Sequence, residues 1–308
     1  MGFDPMAPFL SSEIRGTELS DWQLRPPRYT QLFRGVWIDS RVPLTTLLRG
    51  RAALLVTEPG SALSHHTAAE LWGGVVPDEP DIHVTSRTRG SRREGIVGHV
   101  ARPKTLATRL QGVPLTTPAQ TFTDLRGLSL VDLVVLGDSL VRKDRTTPDR
   151  LCGAASEVPG RLGQHLVRAA SLVRAEVDSA METRLRLLMV LAGLPEPAVN
   201  HKITRPDGSV RFRFDLAYPD YRLAIEYDGR QHAESDEQWG WDLGRREWVD
   251  TNDWRLVVNR SSDLYSTPAR TLRRITEAMR ARGMTVPRLS NEWRRHFPSR
   301  PWDEALPA

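Results

Sequence analysis

Three carboxylates, Asp215, Glu226 and Asp228, occupy alternate positions of two short segments that read as neighbouring β-strands. Acidic side chains gathered in this way suit a hard divalent ion such as Mg²⁺ or Mn²⁺, which prefers oxygen ligands. In the first segment Val210, Phe212, Phe214 and Leu216 point one way, and Arg211, Arg213, Asp215 and Ala217 the other. Pro219-Asp220 makes a turn, and in the return strand Leu223, Ile225 and Tyr227 oppose Ala224, Glu226 and Asp228. If the two apolar sets share a core, the acids converge on the opposite face, and a one-residue slip would bury them. Glu226 and Asp228 would then stand roughly 6.5–7 Å apart. At an effective dielectric of about 20 they repel by about 2–3 kcal/mol. A cation or an arginine must neutralise such a cluster, or one acid must stay protonated. The same alternation also describes a solvated hairpin face on which Arg211, Arg213 and Arg222 pair the acids.

The elements that position these residues are legible around them. Ser179-Ala-Met-Glu182 opens a helix whose apolar positions Met181, Leu185, Leu188 and Ala192 share one face, and Gly193 with Pro195 ends it. Glu182 stands three residues after Ser179, the spacing of a capping box. Asp228-Gly229 also suits a turn, and Asp242 with Arg245 suits a surface pair on a helix. Trp239, Trp241, Trp248 and Trp254 read mostly as core, with base stacking as the alternative.

The run Phe214-Asp215-Leu-Ala-Tyr-Pro, then Ala224-Ile225-Glu226-Tyr227-Asp228-Gly229 and His232, resembles a bacterial family related to very-short-patch mismatch-repair endonucleases. That family belongs to the PD-(D/E)xK nuclease superfamily. Met181-Glu182-Thr-Arg-Leu-Arg, Ala192-Gly193-Leu-Pro195, Asp242-x-x-Arg245-Arg246 and Trp254-Arg255-Leu-Val match its layout over about 85–100 residues. The resemblance implies that Asp215 and Glu226 hold Mg²⁺ or Mn²⁺, with the Tyr227 carbonyl as a further ligand, and that Glu182 completes or orients the site. Asp228 stands where the superfamily pattern has lysine, and no lysine follows Lys202. His232 is the candidate for that role, since imidazole titrates near neutral pH. Arg211, Arg213, Arg230, Arg245 and Arg246 are the expected phosphate contacts of this block.

In the N-terminal half, Leu32-Phe-Arg-Gly-Val-Trp37, Leu63-Ser-His-His-Thr-Ala-Ala-Glu-Leu71 and Pro114-Leu-Thr-Thr-Pro-Ala-Gln-Thr-Phe-Thr-Asp124-Leu resemble AbiEi-type antitoxins and transcriptional regulators of abortive-infection systems. Such regulators usually begin with a winged helix, for which this N-terminus is short and Pro-rich. Leu32 to Ile38 is β-like, and Ser61 to Trp72 is helix-like. Asp81 to Ser86 and Ile96 to Ala101 read as strands joined by a loop carrying Arg87, Arg89, Arg92 and Arg93, suited to phosphate contact or to a solvated tip. Thr117-Pro118 starts a helix. His65, His66, His83 and His99 lack a ligand-like spacing and read as ordinary polar or core residues.

The expected organisation is an irregular segment over 1–27, a smaller α+β regulator-like domain over 28–145 and a linker or helical connection over 146–170. An α/β domain over 171–285 follows, a restriction-endonuclease-like mixed central sheet flanked by helices, and then a tail over 286–308. The formal net charge is +5, and among basic residues only Lys104, Lys143 and Lys202 are not arginine. That balance fits a polyanionic partner, although an arginine-rich codon bias would produce it too. Cys152 is the lone cysteine, which excludes an intramolecular disulfide and a Cys-rich zinc site. No apolar run reaches the roughly 18 residues of a membrane span, and the first residues lack an export signal. A cytoplasmic protein is expected. The expected activity is Mg²⁺-dependent hydrolysis of DNA phosphodiesters. The rivals are a non-catalytic DNA-binding regulator on a nuclease scaffold and an RNA-directed nuclease.

Overall fold

A computed structural model describes residues 4–15, 17, 19–20, 23–88, 92–229, 236–298 and 303, with backbone alone for residues 92 and 236–243. The architecture is mixed α/β, in two compact units. One comprises Met1–Leu128 with Lys143–Leu172, the other Ser129–Arg142 with Val173–Ala308. Among the described residues no helix is long and apolar enough to cross a membrane.

The first unit opens with β1 (Phe9–Leu10), which pairs antiparallel with β3 (Val36–Asp39), itself the partner of β2 (Tyr29–Phe33). The segment expected to be irregular therefore contributes a strand. Its Phe9, Ile14 and Leu24 are buried with Tyr29, because apolar side chains too scattered for a periodic pattern still find one core. After α1 (Thr46–Leu54) comes β4 (Ala62–Leu63), so the stretch expected to be all helix begins as strand and turns into α2 (His65–Leu71) only after Ser64. The strands β4, β5 (Ile82–Ser86), β6 (Arg92–Arg93), β7 (Ile96–Val100), β8 (Ala107–Leu110) and β9 (Val113–Thr116) form a mixed sheet in the order β6-β7-β5-β4-β9-β8. β5 and β7 are parallel, with Thr85 opposite His99. Helix α3 (Pro118–Asp124) starts at Thr117, whose hydroxyl accepts from the Gln120 amide (3.3 Å).

Helix α4 (Leu130–Arg142) belongs to the second unit, and the chain then returns to the first as α5 (Pro148–Ser156) and α6 (Gly160–Ser171). The linker expected near 146–170 is thus two helices. Its start repeats the Thr-Pro signal, Thr147 accepting from the Arg150 amide (3.3 Å), and its Pro, Gly and Ser serve as helix ends.

In the second unit α7 (Ala180–Leu191) is followed by β10 (Ala198–Thr204), β11 (Val210–Tyr218) and β12 (Leu223–Tyr227), then by α8 (Asp236–Thr251) and β13 (Arg255–Asn259). The sheet order is β10-β11-β12-β13, antiparallel except for β12 with β13. A parallel neighbour needs a crossover, and α8 supplies it. Leu216 lies opposite Ile225 and Ala217 opposite Ala224, the register that alternation requires. Phe214, Ala217 and Ala224 pack with Val249 of α8, and Phe212, Trp248 and Trp254 close round them. Trp248 and Trp254 pack half-buried against this core, and the side chains of Trp239 and Trp241 lie outside the described residues. Helices α9 (Ser261–Tyr265) and α10 (Pro268–Ala281) complete the unit, α10 burying Leu272, Ile275 and Met279.

Candidate functional site

Glu182 stands in the first turn of α7 and is fixed at both ends. Its amide donates to Ser179 Oγ (3.1 Å), and its Oε2 accepts from the Asp178 amide (3.0 Å). This is a capping box shifted by one residue, since the carboxylate reaches the amide before the N-cap. A capping role leaves the carboxyl coupled to the site all the same. Burial pushes its pKa up, and the charge of Asp215 pushes it further.

Asp215, on β11, accepts from the Tyr227 amide through Oδ2 (2.9 Å), so it is bonded to the residue beside Glu226. Burial raises its pKa, while the Tyr227 amide and the Arg245 charge pull it down. Glu226 is 8% exposed and accepts from Arg245 Nη2. Arg245 also donates to the Arg213 carbonyl (3.1 Å) and lies over the rings of Phe212 (5.2 Å) and Phe214 (5.4 Å). One guanidinium on an aromatic platform thus bonds Glu226 and offsets the charge of Asp215.

Of the strand arginines only Arg213 shares in this, its charge also lowering the pKa of Asp215. Arg213 pairs with Asp178 (3.4 Å), Arg222 donates to the Asn252 carbonyl (3.3 Å), and Arg211 is exposed. Asp228 lies at the end of β12, its amide bonded to the Asn259 carbonyl (2.7 Å) and its carboxylate 4.0 Å from Arg260. Among the described residues Asp215, Glu226 and Asp228 do not bring three ligand atoms within 4.8 Å of one another. Arg245 sits on Glu226, and Asp228 is drawn to the β13 end. Asp178, which adds its charge to both Glu182 and Asp215, was not singled out from sequence. A lone acid ahead of a helix cap gives no chemical signal. The groups that do meet that spacing are His65–His83–His99 and His66–Glu79–His83 of the first unit. Sequence spacing keeps these histidines apart, and parallel pairing of β5 with β7 under α2 gathers them.

No protein-family model matches the chain. It is 30% identical over 248 residues to "Uncharacterized protein Rv2248" of Mycobacterium tuberculosis strain H37Rv, covering 78% of this chain and 90% of that protein. "Uncharacterized protein MT2308" of strain CDC 1551 matches to the same extent. The chain belongs to this mycobacterial protein family. Neither relative's name states an activity, so the chemistry of this member rests on its own residues. Of its other expected contacts, Arg87, Arg93 and Arg246 are exposed, and Arg92 pairs in β6 opposite Val97. Arg89, Arg230 and His232 lie outside the described residues.

Proposed function

We propose that the second unit is a metal-dependent endonuclease acting on DNA phosphodiesters, accompanied by a first unit that binds nucleic acid or regulates. The observation that carries this reading is one cluster drawn from three elements. Asp215 of β11 accepts from the Tyr227 amide beside Glu226 of β12, raises the pKa of Glu182 of α7 by its charge, and is offset by the Arg245 guanidinium that bonds Glu226. Packing has no need of buried and half-buried acids held near one another, and burial of charge is costly unless it is compensated. A mixed sheet with helices packed on it is also the coarse architecture of a restriction-endonuclease-like domain.

The donor set fits a hard cation, because Asp215, Glu226 and the Tyr227 carbonyl offer oxygen alone. Mg²⁺ or Mn²⁺ bound there would supply an activated water and charge balance at the scissile phosphate. Glu226 must give up Arg245 to turn towards a cation, and the released guanidinium is then available to a phosphate oxygen. Glu182 holds its carboxyl beside Asp215 through the Asp178 amide, a position from which it orients water. Asp228 replaces the superfamily lysine, which leaves His232 as the candidate for acid or base work.

The same Arg245–Glu226 pair favours a second reading, since an acid neutralised by arginine needs no cation. That reading is a DNA-binding regulator on a nuclease-like scaffold. Incubation with supercoiled plasmid, single-stranded DNA and RNA, each with and without Mg²⁺ or Mn²⁺, separates the two. Metal-dependent cutting of DNA that is lost in Asp215→Asn and Glu226→Gln is expected. Binding without cutting under either metal favours the scaffold, and cutting of RNA alone moves the substrate class. Cleavage that survives both substitutions would end the assignment.

A further inference from the structure

We propose that the first unit holds a divalent first-row transition-metal ion on His66, Glu79 and His83, with an open coordination position facing a cavity of about 350 Å³. A ring nitrogen of each histidine and a carboxylate oxygen of Glu79 lie within 4.8 Å of one another. His83 Nε2 is buried and lacks a hydrogen-bond partner, as is His66 Nδ1. Glu79 Oε2 is 3.9 Å from His83 Nε2, too far for a hydrogen bond. Two ligands about 2.1 Å from one tetrahedral ion stand about 3.4 Å apart, so the Glu79–His83 pair is about half an ångström from that spacing, with the His66 nitrogen within 4.8 Å of both. Such a contraction lies within the reach of Glu79, an exposed residue on an irregular segment.

The surroundings are those of a supported ligand set. The start of α2 is locked to β5 by two bonds, from Ser64 N to the His83 carbonyl (3.0 Å) and from His83 N to Thr67 Oγ1 (2.8 Å). His83 Nδ1 lies 3.0 Å from His99 Nε2, and the His99 ring stacks on His65 at 3.5 Å. That hydrogen bond occupies one nitrogen of His83 and orients the other towards Glu79, the outer-shell arrangement that metal-bound imidazoles require. His65, next to the ligand His66, takes a φ of 50°, a left-handed conformation that costs a histidine some strain. His65, His83 and His99 also form a close group, but the two nitrogens facing each other there already share a hydrogen bond. They belong to the support.

Two imidazoles and one carboxylate suit Zn²⁺ or Fe²⁺ and disfavour Mg²⁺, which prefers oxygen. The cavity beside them is lined by Glu70 and by the backbone run from Gly74 to Pro80, which leaves room for water or a small ligand on the ion. The test uses the full chain carrying Asp215→Asn and Glu226→Gln, so that the carboxylates of the other unit do not contribute. Chelator-stripped protein is titrated with Zn²⁺ by calorimetry and with Co²⁺ by visible absorption, in excess Mg²⁺. One equivalent should bind, with the spectrum of a low-coordinate Co²⁺ site. Glu79→Gln, conservative and exposed, should weaken binding at least about 10-fold, and His66→Ala should remove it. His99→Phe, which deletes only the outer-shell bond, should weaken it about 10–100-fold. Circular dichroism of each variant verifies the fold. Absence of binding in the parent chain, or binding unchanged in folded Glu79→Gln and His66→Ala, would overturn the proposal.

Discussion

Asp215 and Glu182 are acids whose pKa values are raised above their ordinary range, chiefly by burial. A carboxyl raised in the folded state favours folding when protonated. Its cost therefore appears as pH rises through the unfolded value and is complete above the folded one. Asp215→Asn keeps an oxygen for the Tyr227 amide (2.9 Å in the native pair) and removes the charge. The variant should consequently be more stable than the parent at pH 7, with Tm higher by about 2–4 °C for each kcal/mol of relieved cost, and the gap should close near pH 4. Thermal melts across that range are the measurement, and a variant less stable at every pH would contradict it. Glu182→Gln keeps an acceptor for the Asp178 amide and relieves a charge of the same kind, so its Tm at pH 7 should not fall below the parent's while DNA cleavage falls. An unaltered cleavage rate would reduce Glu182 to a helix cap. Alternation and capping rules exposed both acids in the sequence. The identity of the arginine that bonds Glu226 and offsets Asp215 was not legible, because it depends on where α8 crosses the sheet.

At the scale of elements, Glu182 is only as well placed as the helix that carries it. Asp138 of α4 ties that helix down. Its Oδ2 accepts from Thr183 (2.8 Å) and Arg186 (3.1 Å), and its Oδ1 accepts from the Arg174 amide (2.8 Å) ahead of α7. Asp138 is 2% exposed and Arg186 0%, with Glu196 a further partner at 3.0 Å. Removing one member of a buried pair leaves an uncompensated charge, so Asp138→Ala should cost about 3–5 kcal/mol. Denaturant unfolding measures it, and a loss below about 1 kcal/mol would show the pair to be incidental. The start of α7 was readable from Ser179 and Glu182, and α3 from Thr117-Pro118, because caps are local. The α5–α6 pair carried the same local signal at Thr147-Pro148, masked by a composition that also suits loops. The histidine cluster had no local signal, since His66 and His83 meet only through the packing of α2 on β5.

Over the whole chain, the formal charge of +5 and the preponderance of arginine set the expected binding behaviour. Arginine contacts to phosphate release counterions, so affinity for duplex DNA should fall steeply with salt, whichever reading of the carboxylate site holds. For about 6–10 phosphate contacts the loss between 50 and 200 mM salt is on the order of 10³–10⁵. Arg246 is exposed on α8, one residue from the arginine that bonds Glu226. Arg246→Ala should weaken binding evenly across sequences and reduce the slope of log K against log salt by about 1. Asp215→Asn should bind at least as tightly as the parent, because it removes a negative charge that repels phosphate. Fluorescence anisotropy with labelled duplex, single strand and RNA at several salt concentrations tests all three outcomes. A salt slope near zero, or equal slopes for the parent and Arg246→Ala with weaker binding by Asp215→Asn, would mean that phosphate is not what this surface meets. Loss of cleavage in Asp215→Asn with its binding retained would separate chemistry from affinity in a single variant.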